Sequence, residues 1–296
     1  MKTKHFILSA AVLTMSVALS LTSCRKDESK DSDTTGTEDN ALADKSYEDM
    51  GQMSNEAANG SVGSYKVKEG VGILSNCVTL THDSVAKTIT IDFTANNCLC
   101  NDGRYRRGKI FVSYTAGFHN LGYWDSLCNI TITTVDPLTT QSTYFVGFDQ
   151  NNMHQLIGTR SVTNNGHNAA GHMNWTVAVN GEVIKPNSQG KITWVSNRNL
   201  EWSAGESTIF WWLDDEYSVT GSGSGTSAKG VPFSVNITSP LVWKVACPKH
   251  FTEGTFDFTP GSKPVRHVDF SPPNNGQCDD IAVVTINGTP YTVHMK

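Results

Sequence analysis

The sequence predicts an all-β fold, an extended antiparallel meander sheet arranged as a sandwich or as a curled, barrel-like sheet. Three observations lead to this prediction. Apolar and polar residues alternate in many short segments rich in Thr, Val, Ile and aromatic residues, which is the pattern of antiparallel strands with one face in water. Turn residues separate these segments at short intervals. Helical periodicity is almost absent, and no fixed-period repeat indicates a propeller or a solenoid.

The alternation is clear in the segment TITIDF, where Ile89, Ile91 and Phe93 share one face. The segment KIFVSY repeats the pattern, and together such segments predict a meander of roughly a dozen strands or more. The others are NITITTV, NWTVAVN, KITWVS, FSVNIT, LVWKVA, TFDFTP and VVTINGTPYTVH.

Turn signals support hairpins between these segments. Asn180-Gly181 and Asn287-Gly288 each separate two alternating runs, as type I′ turns require. Asn164-Asn165-Gly166 and Pro260-Gly261 predict further turns. The stretch GSGSGTSAKG, 221–230, is either a linker or a hairpin. We favour a hairpin because strand-like segments precede and follow it.

The first residues have the pattern of a secretory signal. Lys2 and Lys4 form a positive segment, and 6–21 is an uncharged apolar stretch too short for a comfortable membrane span. The ending LTSC, 21–24, resembles the lipobox of bacterial lipoproteins, in which the cysteine is acylated and the chain is cut just before it. The resemblance implies lipidation of Cys24, with more than one acyl chain for stable anchoring. The alternative is an ordinary secretory signal with a chance cysteine.

The residues after Cys24 predict a tether. Arg25-Lys26-Asp27-Glu28 resembles the export signal of cell-surface lipoproteins of Bacteroidota, and the alternative is a soluble tether that faces the periplasm. We therefore expect a signal peptide at 1–23, a lipidated disordered tether at 24–60 and a single all-β domain at 61–296. Within the tether, 41–58 is a candidate for one short helix.

The charge of the chain is concentrated in this tether. The chain carries a net charge of −5. Residues 25–60 contain ten acidic and four basic residues, whereas the chain from Ser61 onward is nearly neutral. Few bulky apolar residues interrupt the polar ones, which is typical of a disordered linker. The folded part has no basic field, so nucleic acid is excluded as a partner.

Six cysteines remain after Cys24, and an even number in an exported protein indicates disulfides. A single residue separates Cys98 from Cys100, so a bridge between them would be strained. We favour a Cys247–Cys278 bridge because these residues flank a compact C-terminal segment. A zinc site is the alternative, but a second well-spaced pair is missing from the sequence. Two connectivities without the strained bridge stay open for four residues: Cys77, Cys98, Cys100 and Cys128.

The stretch IFWWLDDEY suggests a ligand site. Trp211 and Trp212, our candidate ligand-binding residues, stand beside Asp214, Asp215 and Glu216. Aromatic rings stack on sugars, and paired carboxylates hydrolyse glycosidic bonds. Neighbouring residues on one strand or turn do not face each other across a cleft, however, so a buried Trp followed by an acidic turn is the favoured interpretation.

Three further groups of residues are candidate sites. His167 and His172 are five residues apart, which suits neither one helical face nor one strand face, so a solvated loop is favoured over a metal site. Glu201 with Trp202 meets the same objection as the tryptophan–aspartate stretch. The basic cluster at 104–107 could bind an acidic glycan or lipid headgroups, but a solvated hairpin tip is favoured. We therefore predict no metal, cofactor or catalytic residue.

Five segments carry a resemblance to uncharacterised β-rich lipoproteins of Bacteroidota. The resemblance covers most of the chain after Cys77 and implies an exported β-rich lipoprotein, with no catalytic residue to carry over. The segments are RGKIFVSYTAG, GTRSVTNNG, TVAVNG, VTGSGSGT and CDDIAVVTINGTPYTVH.

Together these observations predict a lipid-anchored protein of the outer membrane, exposed at the cell surface, with a binding or structural role. A glycan or protein partner is expected in addition to the membrane. The alternatives are an envelope-assembly component, recognised by a flat face or a sheet edge, and a glycan hydrolase, recognised by a cleft with convergent carboxylates or histidines. An enzyme is disfavoured because GxSxG, HExxH, phosphate-loop and dinucleotide motifs are missing from the sequence.

Overall fold

A computed structural model of the chain describes six ranges of residues: 35–60, 72–115, 128–208, 212–247, 250–272 and 275–294. For residues 59, 60 and 212 it describes the backbone. Residues Thr34–Lys296 form one compact unit. Within the described ranges, no helix is long and apolar enough to cross a membrane.

The described residues form one α-helix, one 3₁₀ turn (Trp212–Asp214) and sixteen β-strands. Their bounds are α1 Thr35–Gly60, β1 Thr79–Asp83, β2 Thr88–Asp92, β3 Cys98–Leu99, β4 Tyr105–Arg107, β5 Lys109–Tyr114, β6 Asn129–Thr133, β7 Phe145–Gly147, β8 His154–His167, β9 Met173–Ile184, β10 Lys191–Ala204, β11 Glu216–Thr226, β12 Pro232–Lys244, β13 Phe251–Pro260, β14 Arg266–Asp269, β15 Ile281–Ile286 and β16 Thr289–His294.

The strands form one antiparallel sheet in the order β1-β2-β5-β6-β8-β9-β10-β11-β12-β13-β14-β15-β16. A short branch of β3, β4 and β7 joins the first residues of β8. The predicted all-β class and antiparallel meander are therefore confirmed. The sheet stays open and is not closed into a barrel, so β1 and β16 are the two ends of its main strand order, and β3 is the edge of the branch.

The predicted tether is wrong for 35–60, because these residues form α1 and α1 packs against the sheet. The helix contacts β2, β6, β8, β9 and β10. Its inward side chains are fully buried at helical spacing: Ala43, Tyr47, Met50, Met53 and Ala57. The folded unit therefore begins near residue 35 rather than at 61, and the candidate short helix at 41–58 lies inside α1.

Acidic residues of α1 are paired with groups of the sheet. Buried Asp39 accepts hydrogen bonds from the Lys185 ammonium and from the Ala228 amide, the latter at 2.7 Å. Glu56 accepts hydrogen bonds from backbone amides at 73 and 74. The other ion pairs are Asp44–Arg198 at 2.9 Å, Glu48–Arg160 at 2.9 Å and Asp49–Arg104.

Tyr47 fits into a notch made by two glycines. Gly158 and Gly181 pair across β8 and β9, and a Cβ at Gly181 would lie 1.8 Å from the Tyr47 hydroxyl. That hydroxyl lies 2.9 Å from the Ile157 carbonyl oxygen, which accepts its hydrogen bond. The turn predicted at Asn180-Gly181 is therefore wrong: this glycine lies inside β9, where the close approach of Tyr47 requires it.

The other turn predictions have mixed outcomes. Asn164-Asn165-Gly166 lies inside β8, at a bulge, and is not a turn. The hairpin at 221–230 is confirmed, but its glycines up to 225 belong to β11 and the turn is 227–231. Asn287-Gly288 connects β15 to β16 with positive φ at both residues, and a turn follows Pro260, as predicted.

The cysteines form two bridges within the described ranges. The predicted Cys247–Cys278 bridge is confirmed, and Cys77–Cys98 resolves one open pairing. Cys100 and Cys128 are buried and are not disulfide-bonded, so the expected third bridge is absent from the described residues. Cys24 lies outside the described residues.

The long strands define two ends of the sheet. At the proximal end, where α1 begins, lie the turns 148–152, 185–190, 227–231 and 261–265. The Thr35 hydroxyl accepts a hydrogen bond from the Lys229 ammonium at 3.0 Å, which places the start of α1 at this end. At the distal end lie the connections β8–β9, β10–β11, β12–β13 and β14–β15.

Candidate functional site

Two histidine–carboxylate pairs lie at the distal end. His167 Nε2 is 2.6 Å from Glu206 Oε1, and His172 Nδ1 is 2.6 Å from Glu201 Oε1. Asn174 pairs with Glu201 across β9 and β10, which brings the turn before β9 over the end of β10. The histidines predicted to lie in a solvated loop therefore contact carboxylates that follow 39 and 29 residues later in the chain.

The β8–β9 turn is held by its own hydrogen bonds. The Asn168 carboxamide oxygen accepts from the amides of Ala170 and His172, both at 3.0 Å. Glu206 also accepts a hydrogen bond from the Met173 amide at 3.2 Å. An Asx turn of this kind fixes the backbone, so His172 is presented from a defined turn and His167 from the last position of β8.

A row of aromatic rings lies at the same end of the sheet, on the face of β10 opposite to Glu201, because Glu201 and Trp202 are consecutive residues of the strand. Trp202, Tyr217 and Trp243 are cross-strand neighbours on β10, β11 and β12. The ring centroids of Trp202 and Tyr217 are 5.9 Å apart, and those of Tyr217 and Trp243 are 5.5 Å apart. Trp175 packs 6.4 Å from Tyr217. Trp175 and Trp202 are buried, whereas Tyr217 and Trp243 are half-buried, and together they form an aromatic wall on this face.

Asp215 is the most perturbed carboxyl group at this end. Burial raises the pKa of Asp215 to about 6, an effect that hydrogen bonding from Trp202 opposes and the charge of Asp214 reinforces. Burial likewise raises the pKa of Tyr217, with the charges of Asp215 and Glu206 adding to the effect. Asp215 therefore titrates close to neutral pH, at the edge of the aromatic wall.

The neighbouring carboxylates of the DDE stretch point to different partners. Asp214 is exposed and accepts a hydrogen bond from the Thr208 hydroxyl at 2.8 Å, whereas Asp215 is buried. Glu216 lies 3.3 Å from the Lys244 ammonium. This divergence agrees with the expectation that adjacent carboxylates do not form a facing catalytic pair.

The two predicted ligand residues belong to the same connection. Trp211 lies outside the described residues. Trp212 begins the 3₁₀ turn, and its side chain also lies outside them. The chain nonetheless places both between Glu206 and Asp215, in the β10–β11 connection of the distal end.

The basic cluster at 104–107 is structural rather than a solvated hairpin tip. Arg106 is fully buried and donates to both oxygens of Asp102 at 2.7 and 2.6 Å. Arg104 pairs with Asp49 of α1, and the Arg107 guanidinium lies 4.2 Å from the ring centroid of Phe145. The predicted tip is wrong because the β3–β4 branch packs onto the helix.

Metal-ligating groups do not assemble in the part of the chain that the structure describes: no set of three or more His, Cys, Asp or Glu side chains converges there. At the distal end each histidine is instead matched by one carboxylate. This arrangement suits hydrogen bonding to a polar ligand, because it offers donors and acceptors at the end of the sheet that also carries the aromatic wall.

Sequence reasoning named His167, His172 and Glu201 without connecting them, and it missed Glu206 and Tyr217 altogether. The connection depends on the register of β8, β9 and β10, which the residues alone do not specify. The signal that could have found it is the coincidence of acidic and histidine residues at the same end of consecutive strands.

Comparisons of the sequence and the structure with known proteins identify no similar protein. No protein-family model matches the chain, no curated protein matches its sequence, and no solved structure matches its fold.

Proposed function

We propose that this protein is a lipid-anchored binding protein of the outer membrane, exposed at the cell surface, that captures a glycan at its distal end. The observation that carries the binding site is that two histidine–carboxylate contacts and the Trp202–Tyr217–Trp243 row lie at the same end of the sheet. The lipobox at 21–24 and the charges after Cys24 support the anchor and the location.

The distal pairs are accessible to a ligand. The side chains of His167 and Glu206 are 53 % and 25 % exposed, and those of His172 and Glu201 are 40 % and 31 % exposed. Sugars present many hydroxyl groups and apolar C–H faces, so they need both polar partners and aromatic surface. The distal end combines the two within one set of connections.

A binding screen tests this proposal. We would use the chain from Arg25 to Lys296, which keeps the compact unit complete, and a panel of polysaccharides and cell-envelope glycans. We expect saturable binding that Glu201→Gln weakens about tenfold, because hydrogen bonds to charged groups are worth about 1.5–3 kcal/mol. Trp243→Ala, Trp211→Ala and Trp212→Ala should weaken it as well.

The matched control is Glu182→Gln, which removes an exposed ion pair with Lys191 at the proximal end. This variant should bind like the wild type. If no glycan binds, or if Glu182→Gln and Glu201→Gln lose affinity equally, the distal glycan site is wrong. Release of reducing sugar during binding would instead make the site a hydrolase.

A protein partner in envelope assembly is the second candidate, and the open sheet favours it. The edge strands β1 and β16 are largely exposed, and each carries an apolar side chain that is 36 % exposed, Leu80 and Tyr291. An exposed edge can receive an extended segment of another protein. Cross-linking on intact cells that joins a partner to β1 or β16 would favour this role.

A further inference from the structure

The proximal end of the sheet differs in composition from the distal end. Its four turns, 148–152, 185–190, 227–231 and 261–265, contain one acidic residue, Asp149, and three lysines, of which Lys185 is paired with buried Asp39. The distal connections contain one lysine, Lys249, and five acidic residues: Glu206, Asp214, Asp215, Asp279 and Asp280. An anionic lipid surface attracts a basic end and repels an acidic one.

The proximal turns form one continuous rim. The Asn187 amide donates to the Asn152 side chain at 2.6 Å, which joins the first two turns. A Cβ at Gly190 would lie 2.3 Å from the Ala228 carbonyl oxygen, so the third turn is adjacent to the second. Gly261 donates to the Pro232 carbonyl at 2.7 Å and lies against Val231, which adds the fourth.

Apolar side chains protrude from this rim. Phe148 is 72 % exposed, Val231 is 37 % exposed and Val265 is 45 % exposed. Lys229 and Lys263 each stand two residues before one of the valines. Apolar tips flanked by lysines suit the boundary between acyl chains and phosphate groups.

The chain enters the fold at this same rim. Thr35, the first residue of α1, contacts Lys229, and Gly36 lies against Phe258 and Pro260. Cys24 precedes Thr35 by 11 residues, which span at most about 36–40 Å. The 14 residues of β10 span about 46 Å, so the anchor reaches less far than the sheet is long.

We propose that the proximal rim docks on the lipid surface, with Val231, Val265 and Phe148 at the acyl boundary and Lys229 and Lys263 at the phosphates. The distal end is then held away from the membrane. This inference rests on the lipid anchor of the proposed function and adds an orientation to it.

Photo-cross-linking tests the orientation. The lipidated full chain would be reconstituted into vesicles of phosphatidylethanolamine and phosphatidylglycerol that contain a photoactivatable phospholipid, and cross-linked peptides would be identified by mass spectrometry. We expect labels on the turns 227–231 and 261–265. Val231→Ser with Val265→Ser should lower this labelling about tenfold, because the apolar contact is lost.

The matched control removes two exposed apolar side chains outside the rim, Val85 and Leu213, which are 93 % and 43 % exposed. Val85→Ser with Leu213→Ser should leave the labelling unchanged. Labels on 168–172 or 205–208, equal labels at both ends, or wild-type labelling in the valine variant would overturn the docking proposal.

Flotation separates this failure from that of the proposed function. If the wild type floats with vesicles and Cys24→Ser does not, the anchor holds, and the label pattern alone decides the orientation. If the wild type carries no acyl mass and does not float, the anchor is wrong, and the docking proposal falls with it.

Discussion

The ion pairs between α1 and the sheet differ from those at the distal end in one respect, which is that they include a fully buried charge, Asp39. Asp39 of α1 is fully buried against Lys185, whereas His167 and His172 pair with carboxylates in partial contact with water. A buried charge that loses its partner costs several kcal/mol, and an exposed one costs little. The Asp39 pair therefore holds the fold, and the distal pairs are free to serve a ligand.

The largest expected effect comes from the buried set. Asp39→Ala leaves the Lys185 ammonium and the Ala228 amide without their acceptor, and we expect the free energy of unfolding to fall by about 3–5 kcal/mol. Urea unfolding measures this. Lys191→Ala, which removes the exposed pair with Glu182, is the control and should cost under about 1 kcal/mol. Equal losses would mean that α1 is not held by its buried charges.

A smaller effect is expected from the Tyr47 notch. Tyr47→Phe removes the hydrogen bond to the Ile157 carbonyl and leaves that buried acceptor with less compensation, so we expect a loss of about 1–2 kcal/mol. The control is Tyr291→Phe on the exposed edge strand β16, which should be nearly neutral. An unchanged midpoint for Tyr47→Phe would indicate that the hydroxyl contact is unimportant.

Asp215 should make stability depend on pH. Because burial raises its pKa from 3.8 to about 6, the folded state binds the proton more tightly than the unfolded state. The contribution of Asp215 to the free energy of unfolding is therefore complete below its unfolded pKa and is lost as the pH rises through its folded pKa. We expect the stability of Asp215→Asn relative to wild type to increase between these two pKa values and then level off. A difference that is flat across this range would contradict the buried carboxyl.

The smallest effect on stability is expected at the distal pairs. Glu201→Gln weakens a half-exposed contact with His172, so the free energy of unfolding should change by under about 1 kcal/mol. Denaturant unfolding, run beside the glycan screen, checks this. A large loss of stability would show that the distal pairs hold the fold. A loss of binding in this variant would then not identify a ligand site.

Much of the sheet could be predicted from the sequence, because alternation and turn chemistry are local signals. The segments around Ile89 and Val112 are strands, and Asn287-Gly288 is a turn. Asn180-Gly181 carries the same local signal and misleads, because its glycine makes room for Tyr47. That requirement comes from a helix more than a hundred residues away in the chain.

The helix was the main error, and its cause is also non-local. Its buried stripe consists of Ala, Met and Tyr rather than large branched residues. The many acidic residues give the segment the composition of a disordered linker. The partner of Asp39 lies 146 residues further along the chain. The distal site could not be predicted from the sequence for a similar reason, because strand register brings its residues together.

The comparison of the two regions depends on one claim, which is that the acidic segment 35–60 is part of the folded core. Hydrogen exchange on the chain from Arg25 to Lys296, followed by mass spectrometry, tests it directly. We expect the amides of 43–57 to exchange as slowly as those of β9, since both should open only on global unfolding. Exchange of 43–57 at the rate of an unstructured peptide, with β9 still protected, would contradict this account.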